Sequence, residues 1–343
     1  MKYKLSICIP TYNRGDFIGQ TLESIVDQIK DNVEIVIVDG ASKDNTKTVV
    51  EYFKNKYNFI NYYCEEKNSG FDIDCDKSIK YAKGKYCWLM PDDDLMKPNA
   101  ISRVLEVLNE SHELIIVNSE CWNEDFTIDL KSKMHDLTYD KTYKDSENET
   151  FFSDFTTCLS YTGSIVIHRK TWLSRNREKY FGTLFVETGV IFESPPIKKI
   201  HVISESLIKI RYGLGMWEPK SFEIWYFKWP KLIWSFDHYS DKAKQKITLE
   251  KKWRKIKNLL KARAFGHYSY DGFKKILMNE KNPVYLFLSF IICFFPAKIA
   301  NLIFVLYYSI FKSSSLYTLF DLLRSPSANV LSRSFAKTLN IKL

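Results

Sequence analysis

Several familiar chemical motifs are missing from this sequence, and each absence removes a class of function. There is no Gly-rich phosphate loop of the Walker type and no GxGxxG motif, which disfavours P-loop and Rossmann-type nucleotide sites. Only six histidines are present, and no HExxH zinc helix occurs. The GxSxG elbow of serine hydrolases is absent as well. P-loop enzymes, zinc peptidases and serine hydrolases of that type are therefore disfavoured.

Cysteine is present in an odd number and without a metal-binding pattern. The seven cysteines form no CxxC pair and no Cys/His cluster with zinc spacing. Several lie in apolar runs, where cysteine behaves as a small buried hydrophobe. These features favour a reducing compartment. The short apolar run at Leu5–Pro10 does not have the length of a secretory signal, so we expect the fold to begin near residue 3.

The composition is that of a folded protein with a basic surface. The 343 residues are 45% hydrophobic and 27% charged, and the formal net charge is +9. A positive balance favours anionic partners such as nucleotide diphosphates, lipid phosphates or nucleic acid. No known nucleic-acid-binding module is recognisable, so we expect no nucleic-acid partner.

Strand and helix patterns alternate through the first third of the chain. Buried strands are predicted at 5–9, 34–38, 59–64 and 86–90, with helices at 17–29, 45–56 and 72–82 between them. Such alternation predicts an α/β fold with a parallel sheet and helices on both faces. Residues 122–150 are polar and predict a loop. We predict a first domain at 1–215 and a helical second domain at 216–343.

The acidic triplet Asp92–Asp94 directly follows an apolar strand and Pro91. Three adjacent carboxylates repel one another unless a cation neutralises them. Mg²⁺ and Mn²⁺ prefer oxygen ligands, often one or two carboxylates together with substrate phosphates. The triplet therefore indicates a divalent cation that stabilises a departing diphosphate, although an ordinary solvated loop is the alternative.

Two further strand ends carry polar residues. Pro10, Thr11, Tyr12, Asn13 and Arg14 form a turn after the first strand, where a doubly wound fold binds its nucleotide. There Tyr12 is a candidate contact to a base and Arg14 to a phosphate, while simple helix initiation is the alternative. Asp39, after the second strand, is a candidate acceptor for a base or ribose, or else the cap of the next helix.

The tail of the chain contains an apolar stretch at 284–311, interrupted by Pro296 and Lys298. Neither half reaches the roughly 20 apolar residues that a bilayer-spanning helix needs. An interfacial or re-entrant helical hairpin fits this pattern, and a buried helical pair is the alternative. Seven basic residues at 251–263 precede the stretch and favour an anionic membrane surface.

Taken together, these motifs resemble family 2 glycosyltransferases of the GT-A fold. The motifs that carry the resemblance are SICIPTYNR (6–14), EIVIVDGAS (34–42), NSG (68–70), AKGKY (82–86) and DDDL (92–95). The residues of the first two motifs and of the acidic triplet are similar to those of the abequosyltransferase-like branch, which adds deoxysugars in O-antigen assembly. The resemblance implies a doubly wound, mainly parallel sheet followed by a helical, membrane-associating region.

The resemblance also implies roles for individual residues and a cofactor. Nucleotide-sugar binding falls to Pro10, Thr11, Tyr12, Arg14, Asp39, Asp92 and Asp93. A divalent cation, Mg²⁺ or Mn²⁺, is expected at Asp93 and Asp94. Two departures stand out, because Pro91 occupies the first position of the usual DxD motif, and Cys75 and Asp76 replace an Arg-Asn pair that contacts the diphosphate. Arg211 or Lys77 would have to replace that contact.

Members of this family are typically inverting, and a carboxylate late in the catalytic domain acts as the base. The matching position is Glu187, and the aspartate that usually follows it is Thr188 here. Glu193 and Asp154 are rival candidates, and an ordinary surface carboxylate is a further alternative. Gly163 and Ser164 match a family element near the acceptor site.

The expected function follows from this resemblance. We expect transfer of a hexose or deoxyhexose from a nucleotide-diphosphate sugar to a lipid-linked saccharide in surface polysaccharide or O-antigen assembly. The expected location is the cytoplasmic face of the membrane, as a peripheral or monotopic protein. A catalytically degenerate nucleotide-sugar-binding or scaffold protein is the alternative. A nucleotidyltransferase is disfavoured, since the first turn lacks the Gly-rich loop of those enzymes.

Overall fold

The computed structural model describes residues 2–216, 218–311 and 316–338. The chain forms two compact units, each built from more than one stretch of sequence. Unit 1 contains the described residues of 1–121, 132–211 and 236–247, and unit 2 those of 122–131, 212–235 and 248–343. The two predicted domains, 1–215 and 216–343, stay a prediction.

The strands of the described residues are β1 (Leu5–Thr11), β2 (Val33–Asp39), β3 (Ile60–Cys64), β4 (Tyr86–Leu89), β5 (Leu95–Met96), β6 (Leu114–Trp122), β7 (Asp129–Lys131), β8 (Lys141–Lys144), β9 (Ile165–His168) and β10 (Lys199–Arg211). The helices are α1 (Gly15–Val26), α2 (Thr46–Lys56), α3 (Phe71–Tyr81), α4 (Ala100–Val107), α5 (Asn148–Phe155), α6 (Arg169–Leu173), α7 (Val186–Phe192), α8 (Ser221–Glu223), α9 (Trp229–Trp234), α10 (Asp241–Ile247), α11 (Ile256–Ala264), α12 (Tyr270–Gly272), α13 (Pro283–Phe294), α14 (Ala297–Phe311), α15 (Leu316–Arg324) and α16 (Val330–Thr338).

The sheet of unit 1 is parallel in one half and antiparallel in the other. Its strands run in the order β3-β2-β1-β4-β9-β6-β10-β5. The pairs β3–β2, β2–β1 and β1–β4 are parallel, as the alternating pattern predicts. Strand β9 pairs antiparallel with both β4 and β6, and β5 and β8 pair antiparallel with β10. The strict strand–helix alternation ends at β4, so the later strands join in the opposite direction.

The parallel half is readable in the sequence because its central strands are covered on both faces. Every residue of β1 and β2 is buried. Strands buried on both faces appear as continuous apolar runs rather than alternating ones. Helix α1 packs Ile18, Leu22 and Ile25 into the same core, at the spacing of one helix face. The region 122–150, predicted as a loop, contains the short strands β7 and β8.

Unit 2 is mainly helical, with α11 packed against α13 and α14. Its interior includes Leu259 and Ala262 of α11 and Ile292 of α13. Among the described residues, no single helix is long and apolar enough to cross a membrane. Helices α13 and α14 together pass that test of length and composition, but they are bent by 94° at the break between them.

Candidate active site

The ends of β1 and β2 lie side by side. Thr11 pairs with Asp39 in the register, and the Gly40 amide donates to the Thr11 carbonyl over 2.9 Å. The buried Asp39 accepts from the Ser42 amide through Oδ1 (2.8 Å) and from the Tyr62 hydroxyl through Oδ2 (2.7 Å). Burial and the neighbouring Asp39 raise the pKa of Tyr62 above its usual range, so this hydroxyl keeps its proton. The orientation of the Asp39 carboxylate is therefore fixed.

The turn after β1 is tied to the loop after β2 by reciprocal hydrogen bonds. The Asn13 amide donates to Ser42 Oγ (2.8 Å), and the Lys43 amide donates to Asn13 Oδ1 (2.7 Å). The Arg14 amide donates to Thr46 Oγ1 over 2.8 Å. Asn13 has a φ of 53°, in the left-handed region that asparagine tolerates better than most residues. These contacts fix the point from which the Arg14 side chain projects.

The acidic turn after β4 receives that side chain. Arg14 Nε lies 3.6 Å from Asp92 Oδ1, and Arg14 Nη2 lies 3.6 Å from Asp93 Oδ2. Burial, reinforced by the charge of Asp93, raises the pKa of Asp92 to about 7. Burial also raises the pKa of Asp93, while the guanidinium groups of Arg14 and Arg211 oppose that rise. The turn is thus an acidic site whose charge is partly balanced by arginine.

Asp94 faces into the protein instead. It is 2% exposed, and both its oxygens accept hydrogen bonds, Oδ2 from the Tyr161 hydroxyl (2.6 Å) and Oδ1 from the Arg211 amide (2.7 Å). Burial, followed by the charge of Asp93, raises its pKa well above the usual range. Asp94 therefore joins the acidic turn to the end of β10.

Arg211, the last residue of β10, completes this corner of the site. Its Nε donates to the Asp93 carbonyl over 2.8 Å, and its Nη2 donates to Gln20 Oε1. The guanidinium carbons of Arg14 and Arg211 lie 5.8 and 5.4 Å from the centroid of the Phe17 ring. Two arginines thus share one aromatic ring beside the acidic turn, within the range of cation–π attraction.

Glu187 lies in the first turn of α7 and is 1% exposed. In the described part of the chain, neither of its carboxyl oxygens has a hydrogen-bond partner. Burial raises its pKa well above the usual range, and the charge of Asp72 adds to the rise. Asp72 itself accepts from the amides of Leu184 and Val186 (2.9 and 3.1 Å), which fixes the start of α7. Glu187 is therefore a buried acid positioned by α3.

The two rival carboxylates have different surroundings. Glu193 accepts from the Asn176 amide through Oε2 (3.0 Å) and follows the last residue of α7. Asp154 is exposed on α5 and accepts from the Ser153 hydroxyl over 2.9 Å. Neither combines the burial and the unpartnered oxygens of Glu187.

Comparison with known proteins identifies the family to which this geometry belongs. The glycosyl transferase family 2 model matches residues 6–176. The chain belongs to glycosyl transferase family 2. It is 27% identical to abequosyltransferase RfbV of Salmonella typhimurium over 231 residues, 63% of this chain and 69% of that protein. It is 30% identical to a putative teichuronic acid biosynthesis glycosyltransferase, TuaG of Bacillus subtilis, over 31% of this chain and 42% of that protein.

A solved structure shows the same fold at low sequence identity. The complex of S. aureus TarS 1–349 with UDP superposes with a TM-score of 0.53 and 16% identity, covering 98% of this chain and 92% of that one. The GT-A-type α/β fold that the sequence resemblance implied is confirmed, but its sheet is mixed rather than mainly parallel, because β9, β5 and β8 pair antiparallel with their neighbours. The family model and the similarity to abequosyltransferase RfbV show that the chain is a glycosyltransferase.

Enzymes of this family typically use a divalent cation, and the acidic turn has suitable donors for one. The carboxylates of Asp92 and Asp93 are oxygen ligands at the mouth of the sheet, the type that Mg²⁺ and Mn²⁺ prefer. Within the described residues, no group of three or more His, Cys, Asp or Glu side chains is arranged to hold a metal ion. Two carboxylates are nevertheless a donor set with which Mg²⁺ is often held, together with substrate phosphates. The predicted metal role of Asp94 stays a prediction. Both its carboxylate oxygens accept hydrogen bonds within the protein, so a metal ion would compete with these bonds.

The remaining predicted residues are distributed as follows. Pro10 is buried within β1, opposite Val38, and Tyr12 is half-buried in the turn that follows. Lys77, one candidate to replace the missing arginine, pairs with Glu65 and donates to Ser69 Oγ over 3.1 Å. Arg211, the other candidate, contacts the acidic turn. The structure thus brings most of the residues predicted to bind the nucleotide to the carboxyl ends of β1, β2 and β4. The predicted base Glu187 lies instead near Asp72 of α3.

Sequence reasoning missed three residues that shape this site. Tyr161 and Gln20 support Asp94 and Arg211, and no local motif marks either one. Asp74 of α3 is 3% exposed, and its Oδ2 lies so close to Gly40 that a Cβ there would be 2.7 Å away. The sequence feature that could have identified Asp74 is its position on the helix after β3, four residues after Gly70 of the NSG motif.

Proposed function

We propose that this glycosyltransferase moves a hexose or deoxyhexose from a nucleoside diphosphate sugar to a lipid-linked saccharide, with inversion, during assembly of a surface polysaccharide such as O-antigen. The observation that carries the proposal is the acidic turn Asp92–Asp93, paired with Arg14 and adjoined by Arg211. The similarity to abequosyltransferase RfbV and to the teichuronic acid biosynthesis glycosyltransferase TuaG supports this class of product.

The donor would lie across the carboxyl ends of β1, β2 and β4. Asp39 and Thr11 would hold the nucleoside, with Tyr12 at the base. Asp92 would contact the ribose or the transferred sugar, and Asp93 would hold the divalent cation. When bound, the cation supplies Lewis-acid stabilisation of the leaving diphosphate. Arg211 would face the diphosphate, in place of the arginine that is Cys75 here.

The transfer step needs a base on the acceptor side. The acceptor hydroxyl oxygen attacks the anomeric carbon as the bond from that carbon to the diphosphate oxygen breaks. The hydroxyl proton passes to the Glu187 carboxylate. Burial raises the pKa of Glu187, so its deprotonated form is a stronger base but a smaller fraction of the protein at low pH. We therefore expect the rate to increase with pH until Glu187 is fully ionised.

Unit 2 supports a membrane-bound acceptor through an apolar face, which we define as the exposed side chains of α13 and α14. Its members are Val284, Phe287, Phe290, Ile291, Phe294, Ile299, Ile303, Ile310 and Phe311, each between 41% and 71% exposed. On α13 they recur every three to four residues, opposite the buried Ser289, Ile292 and Cys293. A face of this kind is typical of interfacial helices.

Basic side chains of α11 border α14 through its tyrosines. Lys261 Nζ donates to the Tyr308 hydroxyl over 2.9 Å, and Lys257 Nζ lies 4.7 Å from the centroid of the Tyr307 ring. Tyrosine and lysine together are typical of the boundary between lipid tails and headgroups. We propose that this surface holds the enzyme on an anionic membrane, at the cytoplasmic face, where a lipid-linked saccharide is presented.

A non-catalytic nucleotide-sugar-binding or scaffold protein is the second candidate, and one observation favours it. Asp76, which stands where the family has asparagine, accepts from Trp172 Nε1 (2.9 Å) and pairs with Arg177 and Lys80 (both 2.7 Å). That position is thus structural here, and Cys75 beside it is buried.

Thermal unfolding of the purified chain with UDP, CDP, GDP or dTDP, each with and without Mn²⁺, tests the donor site. A ligand at a hundred times its dissociation constant stabilises the native state by roughly 2.7 kcal/mol. Stabilisation by one nucleotide that depends on Mn²⁺ supports the proposal. Absence of any shift contradicts it, and a shift without turnover on lipid-linked acceptors favours the scaffold.

A further inference from the structure

Three lysines of unit 2 lie against tyrosine side chains, and we call them the lysine cluster: Lys252, Lys257 and Lys261. Lys252 Nζ lies 5.1 Å from the centroid of the Tyr226 ring. Lys257 Nζ lies 3.4 Å from the hydroxyl oxygen of Tyr307, and Lys261 Nζ lies 2.9 Å from that of Tyr308. The Tyr307 and Tyr308 rings are themselves in contact, with centroids 5.4 Å apart. The cluster therefore brings positive charge from α11, and from the turn before it, to the tyrosines of α14.

The positive charge of the lysine cluster is not balanced by an acidic side chain. In the part of the chain that the structure describes, none of the three lysines forms an ion pair with a carboxylate, whereas the nearby Arg254 pairs with Glu280 over 2.7 Å. Burial lowers the pKa of Lys252, and the charge of Lys261 lowers it further. Like charges in a partly buried position destabilise each other, and an anion bound between them would remove that cost.

The lysine cluster borders the apolar face of α14. Tyr307 follows Ile303 by four residues, so the two side chains share one side of the helix. The Tyr307 ring centroid lies 5.8 Å from that of Phe311. Ile303 and Phe311 are both exposed members of the apolar face. A cationic group beside exposed apolar side chains is complementary to a lipid whose polar end is negatively charged.

The donors of the cluster favour a highly charged headgroup. A phosphodiester headgroup such as that of phosphatidylglycerol carries one negative charge, whereas a diphosphate carries at least two and has more acceptor oxygens. Each lysine ammonium has three N–H donors. The hydroxyls of Tyr307 and Tyr308 accept from Lys257 and Lys261, so each keeps its own proton to donate. Several charge-assisted donors at one place are therefore better suited to a diphosphate than to a single phosphodiester.

We propose that the lysine cluster, together with Tyr307 and Tyr308, binds the diphosphate that joins the acceptor saccharide to its lipid, while the lipid chain lies along the apolar face. This inference rests on the proposed function, since it assumes a lipid-linked acceptor. It adds a specific anion site to the general attraction of unit 2 for an anionic membrane. The enzyme should therefore distinguish a lipid diphosphate from other anionic lipids at equal surface charge.

The test measures sedimentation of the full chain with two kinds of phosphatidylcholine vesicle. One kind contains a polyprenyl diphosphate, and the other contains the uncharged polyprenol with enough phosphatidylglycerol to give the same surface charge. A chelator is present throughout, so that no divalent cation joins the diphosphate to the acidic turn of unit 1. We expect the wild type to bind the diphosphate vesicles about tenfold more tightly than the matched vesicles. In the double variant Lys257→Gln, Lys261→Gln, this difference should disappear.

The matched control is the double variant Lys274→Gln, Lys275→Gln. It removes the same number of charges from exposed lysines of the same unit. Its general attraction to anionic vesicles should weaken, but its tenfold preference for the diphosphate vesicles should remain, because Lys274 and Lys275 are not members of the lysine cluster. Circular dichroism establishes that each variant is folded.

The outcomes separate this inference from the proposed function. Equal binding of the wild type to both kinds of vesicle overturns the inference, whether or not the variants fold, and leaves membrane attachment standing. A preference that persists in a folded Lys257→Gln, Lys261→Gln variant also overturns it. Failure of the wild type to bind either vesicle overturns both the inference and the proposed membrane attachment. The donor site is tested separately by the thermal unfolding of the purified chain with nucleotides.

Discussion

The two units of the chain differ in what they leave at their surface. Unit 1 buries long apolar strands and presents carboxylates and arginines at one edge of its sheet. Unit 2 buries one side of α13 and α14 and leaves large apolar side chains exposed on the other, with Phe287 62% and Phe294 60% exposed. Water-soluble surfaces seldom carry large apolar patches without a binding function. The contrast supports the proposal that unit 1 carries the chemistry and that unit 2 attaches the enzyme to a membrane.

We expect Asp93→Ala to have the largest effect of the variants below and to change only the activity that unit 1 carries. Because Asp93 is the proposed cation ligand, we expect kcat/KM to fall at least about 100-fold. The midpoint of thermal unfolding and the fraction bound to vesicles should stay close to wild type. Turnover of a labelled donor measures the loss of activity, and vesicle sedimentation measures whether membrane binding is unchanged. Wild-type-like turnover would remove Asp93 from the proposal.

Glu187→Gln tests the base within unit 1. We expect the rate to fall about 100-fold, as for loss of a general base. The wild-type rate should increase with pH as Glu187 loses its proton, because its folded-state pKa is raised by burial. Glu193→Gln is the matched control and should keep both the rate and its pH dependence. If the rate of Glu187→Gln still increases with pH as in the wild type, another group is the base.

The triple variant Phe287→Ser, Phe290→Ser, Phe294→Ser tests the apolar face of unit 2. Each phenylalanine loses apolar burial in the lipid, so binding to anionic vesicles should weaken about tenfold or more. Turnover on a water-soluble acceptor should be unchanged. Tyr52→Ser with Tyr139→Ser, two exposed aromatics of unit 1, is the control and should bind vesicles normally. If size-exclusion chromatography shows dimer dissociation in the triple variant, the apolar face is instead a contact between copies.

We expect Asp74→Asn to have the smallest effect of these variants, a pH-dependent change in the free energy of unfolding. Burial raises the folded-state pKa of Asp74 to about 6, and Glu65 and Asp39 add to the rise. The folded state therefore binds more protons than the unfolded state between about pH 4 and 6, and the contribution of Asp74 to stability falls as pH rises through that range. The asparagine variant should be about 1 kcal/mol more stable than the wild type at pH 7.5, and the difference should disappear at pH 4. Urea unfolding at the two pH values measures it, and a constant difference would exclude the charge as its cause.

The parallel half of the sheet and its site were predictable because their causes are local. Strands β1 and β2 are buried and largely apolar, and each ends in a polar residue of the site, Thr11 and Asp39 respectively. The contact of Arg211 with Asp94 joins residues 117 positions apart and depends on β10 joining the sheet. No local pattern contains that information. Likewise, no sequence pattern around Glu187 predicts that its carboxyl group is buried without a hydrogen-bond partner among the described residues.

The reciprocal ties between the turn at Asn13 and the loop at Ser42–Thr46 have a consequence for engineering. Each loop supplies the hydrogen-bond partners of the other, so neither keeps its shape if its counterpart is replaced. A chimera that imports only one loop from a relative with a different donor would lose the backbone that carries Arg14. Donor preference in this scaffold should therefore be exchanged by transplanting both loops as a single cassette.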